Sequence, residues 1–161
     1  FGDLSGLPEE VLPFHAGLLD FPLQKTAEWV KRCVPFLLAH ELAHAWRDQM
    51  GLLTKDAWHE EHIANSLAFA YVSAHLPEVA RDVLFVSKRI VESHAERLDG
   101  SWQRVLERCT EASPTPQDYD CSPKQAALVH AKMILRLQET PAEVAELVAE
   151  WFFDLGLSAA E

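Results

Sequence analysis

The stretch Phe36-Leu37-Leu38-Ala39-His40-Glu41-Leu42-Ala43-His44-Ala45-Trp46 constrains this chain more than any other. Its centre reads His40-Glu41-x-x-His44, a pattern whose chemistry requires a helix. On a helix, positions i and i+4 lie one turn apart on the same face, so both imidazoles can reach one metal ion. Glu41 is rotated by about 100° from His40, beside the metal, where it can hold a bound water without being a ligand. Two histidines and a carboxylate so placed point to zinc-dependent hydrolysis.

Such a helix needs a core around it. The chain has 161 residues, 48% of them hydrophobic, enough for a single globular domain over 1–161. No apolar run reaches the ~18 residues that span a bilayer. The formal net charge of -11 argues against nucleic acid, which demands a basic patch, and against an anionic membrane surface. The cysteines Cys33, Cys109 and Cys121 lack metal-ligand spacing and form no disulfide framework, although Cys109 and Cys121 are spaced to pair across a loop. A reducing, cytoplasmic compartment is expected. Because the chain begins at Phe1 rather than Met, a trimmed start is expected too.

Helical periodicity dominates. Residues 1–23 carry repeated Gly and Pro and read as an irregular arm, with at most one short helix near Pro8–Leu12. A helix starts at Thr26 as N-cap. Pro35 predicts a break near Cys33-Val34 and a fresh helix from Pro35 to Met50, stopped by Gly51. The next helix runs from about Trp58 to Leu76, with two usable faces: Ile63, Leu67, Ala70, Tyr71 and Ala74, and Glu61, Asn65, Ala68, Val72 and His75. Pro77 opens another to about Leu98, with a core stripe of Val79, Val83, Val86, Ile90 and His94. Shorter helices follow over about 101–111, 122–138 and 141–154. No strand alternation is visible, so the expectation is an all-α domain of six or seven helices with little or no sheet.

A catalytic zinc ordinarily has three protein ligands. A third histidine six residues after His44, behind a glycine at 47, is excluded by Arg47 and Met50. The run His59-Glu60-Glu61-His62 supplies candidates on the following helix. Here the residues resemble a family. His40-Glu41-Leu42-Ala43-His44, followed by Glu61-His62-Ile63-Ala64-Asn65, is similar to the gluzincin metallopeptidases, and Glu-x-x-Ala-Asn before Leu67-Ala68-Phe69-Ala70 is similar to their ImmA/IrrE-like branch. The likeness covers residues 36–77.

The resemblance implies a zincin-like helix pair, His40, His44 and Glu61 as zinc ligands, Glu41 as general base, and Asn65 as a residue supporting the ligands. It implies a peptide or protein substrate. Asn65 is i+4 from Glu61 and so shares its face, from which it can hydrogen-bond a ligand histidine. Glu60 is the rival ligand, but its i+4 partner is Ala64, which can do no such work. Gluzincins place a small sheet before the motif helix to align substrate, and none is legible here. The alternative is therefore a non-catalytic binding or regulatory module on the same scaffold. A di-iron carboxylate protein would need a second Glu-x-x-His pair beside Glu41-x-x-His44, and there is no clean one.

Other residues read more plainly. His15 is expected at the surface and His94 as a hydrogen-bonded core histidine. His130, Tyr71 and Tyr119 are candidates to stabilise an oxyanion. The five tryptophans read as core or interface anchors, and Asp48 as a possible partner of His44 or a solvated acid.

Overall fold

The computed structural model describes residues 9–55, 57–94 and 123–139. Five helices run through them: α1 (Val11–Leu19), α2 (Leu23–Gln49), α3 (Ala57–His75), α4 (Pro77–His94) and α5 (Pro123–Glu139). There is no strand among the described residues, so the chain is mainly helical as its periodicity predicts. The described helices number five, not six or seven; those expected over 101–111 and 141–154 lie outside the described residues. No described helix is long and apolar enough to cross a membrane.

The largest departure is at Pro35. The helix does not break there: α2 continues through it for 27 residues. A proline inside a helix forfeits the hydrogen bond to the carbonyl four residues back and strains the turn. Here tertiary packing outweighs that cost. Phe36, 4% exposed, is buried with Phe69, Val72, Val83 and Ile134, which come from α3, α4 and α5. Cys33 and Ala39 pack against the same cluster.

The start of α2 also differs. It begins at Leu23, and Thr26 lies inside its first turn, where the buried hydroxyl donates to the Pro22 carbonyl at 3.1 Å. The supposed arm contains α1, which closes on Asp20 in the left-handed region (φ 53°), a conformation that Asp tolerates better than most residues. The stop at Gly51 is as expected. Gly51 has φ +69°, with Leu52 N–H donating to the Arg47 carbonyl and Gly51 N–H to that of Asp48. These two bonds are a Schellman ending, which needs a residue free to adopt positive φ.

Helix α3 lies against α2, α4 and α5. Its buried side is Ile63, Asn65, Ala68, Phe69 and Val72, whereas Tyr71, Ala74 and His75 are exposed. One of the two expected faces is therefore only partly covered. On α4, Val79, Val83 and Ile90 are buried as predicted, with Val86 and His94 half-buried. Leu18 and Leu19 of α1 join Ile90, Leu128 and Ala131 in a second cluster. Arg89 ties α1 to α4 by donating to the Leu19 carbonyl at 3.0 Å.

If α2 is continuous, Pro35→Ala should stabilise the fold by about 1–2 kcal/mol in urea unfolding. The restored hydrogen bond then outweighs the greater freedom of the unfolded chain. A loss of similar size would mean that Pro35 opens a helix instead of lying within one.

Candidate metal centre

Helices α2 and α3 meet at a buried ion pair. Arg47, 5% exposed, donates from Nε to Glu60 Oε1 at 2.7 Å and from a terminal nitrogen to Oε2 at 3.1 Å. The same guanidinium reaches the Leu52 carbonyl at 2.6 Å, and Thr54 N–H donates to Glu60 Oε2 at 3.1 Å. Burial pushes the Glu60 pKa up, but the bonds from Arg47 and Thr54 and the charges of Arg47 and His44 outweigh it and hold the carboxyl below its usual value. The connection between the helices is thus stitched to both of them, and their relative rotation is fixed.

That rotation brings His40, His44 and Glu61 together. His40 Nε2 lies 3.1 Å from His44 Nε2 and 3.1 Å from Glu61 Oε2; His44 Nε2 lies 3.5 Å from the same oxygen. A tetrahedral ion with arms of about 2.1 Å has ligand atoms about 3.4 Å apart. The three donor atoms have the spacing of one face of such a tetrahedron, and two nitrogens with a carboxylate oxygen suit a borderline metal such as zinc. These residues form the one group of this kind found among the described residues. Burial raises the Glu61 pKa, but the His40 hydrogen bond and the charges of His130, His40 and His44 outweigh it and draw the carboxyl below its usual value.

Glu60 is bound to Arg47 and does not face the cluster as a ligand. It has another part: its Oε1 stands 3.6 Å from His44 Nδ1, on the far side of the ring from Glu61. A carboxylate behind a ligand histidine fixes its tautomer and orientation. His40 has no such support among the described residues, where its buried Nδ1 meets no hydrogen-bond partner.

Asn65 does not bond His40 or His44. Its amide nitrogen lies 3.1 Å from His130 Nδ1 and 3.6 Å from Met133 Sδ, both acceptors, on α5. With Nδ1 accepting, the proton of a neutral His130 sits on Nε2. That nitrogen is 3.7 Å from Glu61 Oε2. Burial lowers the His130 pKa, Glu61 opposes this, and His40 and His44 add to the lowering, so the ring is held neutral. His130 thus presents an N–H at the edge of the cluster, while Trp58, 3% exposed, backs its ring at 6.0 Å between centroids.

Glu41 is exposed and lines the same cavity as His40, His44, Glu61, Asn65 and His130. His59 and His62 stand outside the cluster. Tyr71 is exposed and pairs with His75, and Tyr119 lies outside the described residues. Asp48 is exposed. His15 is not a surface histidine: it is half-buried, lines the cavity and donates from Nδ1 to the Val11 carbonyl at 2.7 Å. His94 is half-buried, but its Nε2 has no hydrogen-bond partner among the described residues. Among the tryptophans, Trp58 is core, Trp29 stacks on Phe85, and Trp46 is 41% exposed.

No family model, curated protein or solved structure matches this chain.

Breaking the buried pair should be costly. Glu60→Ala leaves Arg47 buried and unpaired, and should lose about 3–5 kcal/mol in urea unfolding. The double variant Arg47→Met, Glu60→Leu should recover most of that. A loss below 1 kcal/mol for Glu60→Ala would mean that the pair does not hold α2 to α3.

Proposed function

We propose that the chain is a zinc-dependent metallopeptidase of gluzincin-like type. His40, His44 and Glu61 would hold the ion, and the observation that carries this reading is the tetrahedral-face spacing of their three donor atoms. When bound, zinc supplies Lewis acidity to the scissile carbonyl and lowers the pKa of its water toward neutrality. Glu41 takes the proton of the attacking water on its carboxylate and returns it to the leaving amine. The Nε2–H of His130, fixed by Asn65, donates to the oxygen on which negative charge develops. Glu60 keeps His44 oriented throughout. A reducing, cytoplasmic setting fits the free thiol of Cys33.

The absence of a strand among the described residues favours a second reading, a binding or regulatory module that keeps the site without turnover. Hydrolysis of a peptide library by the zinc-loaded protein separates the two.

The purified protein should carry one zinc per chain by elemental analysis. His40→Ala and His44→Ala should each abolish it, and Glu61→Ala should weaken it strongly. Stoichiometric zinc in both histidine variants would remove the site assignment.

Glu41→Gln should retain zinc, since Glu41 is not a ligand, while hydrolysis falls by ~10²–10⁴. Loss of the metal would make Glu41 a ligand instead. Full activity with the metal in place would move the proton transfer to another group.

A further inference from the structure

The metal cluster occupies one end of a larger space. A cavity of about 600 Å³ is lined by His40, Glu41, His44, Glu61, Asn65 and His130 and also by side chains of α1, α4 and the first half of α2. Along α2 the lining extends from Trp29 to His44, about 20 Å of helix axis at 1.5 Å per residue. The space is therefore extended along α2.

Its polarity is divided. Away from the cluster the wall is Leu19, Trp29, Val34, Val86, Ile90 and Ala131, with similar neighbours. Among the described residues no lysine or arginine lines the cavity, and the two carboxylates that do, Glu41 and Glu61, both belong to the cluster end. Among the described residues the polar groups along the apolar wall are His15, Cys33 and Ser87. His15 is already bonded to the Val11 carbonyl. The Cys33 thiol is pushed up to about 12 by burial and by Asp82, against Arg32, and so stays neutral. A peptide backbone entering this stretch would bury N–H and C=O groups with few partners to satisfy them. A hydrocarbon chain brings no such groups.

We infer that the cavity is the binding site for an unbranched aliphatic chain, and that the substrate is an acyl amide whose chain fills the apolar stretch while its carbonyl end reaches the His40–His44–Glu61 cluster. The identity of the substrate rests on the hydrolase reading above; the chain-binding site does not.

The test therefore has two arms. In the first, protein treated with EDTA is titrated with n-alkanols from butanol to decanol, by displacement of an anilinonaphthalene dye. Affinity should rise about fourfold per added methylene until the cavity is full. Val86→Phe or Val30→Phe, each placing a ring in the apolar stretch, should flatten that rise while keeping the parent's circular dichroism. In the second arm, alkyl hydroxamates of increasing chain length are titrated into zinc-loaded protein by calorimetry, and should show the same slope and the same loss in the variants. An affinity independent of chain length, or a slope unchanged in both folded variants, overturns the inference. So does tighter binding of short leucine- or phenylalanine-rich peptide amides than of decanol, which would make the cavity a peptide site. Alkanol binding with the expected slope in a protein that takes up no zinc would uphold the chain site and sink only the hydrolase reading.

Discussion

The Arg47–Glu60 pair is the interaction on which the rest of the centre depends. Two histidines on one helix and a carboxylate on the next meet only if the helices hold a fixed rotation about their axes. Apolar packing alone allows neighbouring rotamers and small shifts. A bidentate guanidinium–carboxylate bond with both partners buried allows few, because a displaced partner is left charged and desolvated. The pair lies one turn beyond His44 on α2 and one residue before Glu61 on α3. It therefore sets the cluster's geometry at the shortest possible lever arm. Its carboxylate also faces His44 Nδ1, so one side chain both clamps the helices and orients a ring.

Much of the fold was legible in the sequence. Helices α3, α4 and α5 announce themselves through Pro77, Pro123 and apolar stripes, and Gly51 marks the end of α2. Pro35 misled because the local cost of an interior proline is visible in sequence whereas the compensating burial of Phe36 against three other helices is not. Helix α1 was hidden for a related reason. Its Gly17 and Pro13 suppress the local signal, and Leu18 and Leu19 declare themselves only by their burial against α4 and α5.

The site divides along the same line. His40 and His44 are readable because they share one helix, where spacing alone fixes their relative placement; Glu61, on the next helix, was reached through the resemblance and through Asn65 one turn further on. His130 is 65 positions from its partner Asn65. As a lone histidine on a helix with no flanking motif, it stood in sequence no higher than Tyr71 or Tyr119. Asn65 was legible as a residue of the centre but not in its partner, because the i+4 argument gives its face and not what faces it. Glu60 was ranked below Glu61 on a sound ground, its Ala64 neighbour, but its pairing with Arg47 spans the loop and has no local periodicity to reveal it.

The three donor atoms form a group that could hold a cation, and their protons say how. Glu61 is held ionised, and His40 and His44 present Nε2 atoms 3.1 Å apart. Two neutral imidazoles so placed cannot both turn lone pairs inward without repulsion, so in the absence of a positive centre one of them must carry its proton on Nε2. Only one of the remaining contacts then becomes a hydrogen bond. A divalent ion would take all three lone pairs at once and leave each ring's proton on Nδ1, which in His44 meets Glu60 and in His40 meets no partner among the described residues. His130 is excluded from this set by Asn65, which occupies its Nδ1 acceptor and so leaves Nε2 as a donor. One amide thereby separates the residues that can bind a cation from the one that can stabilise an anion beside it.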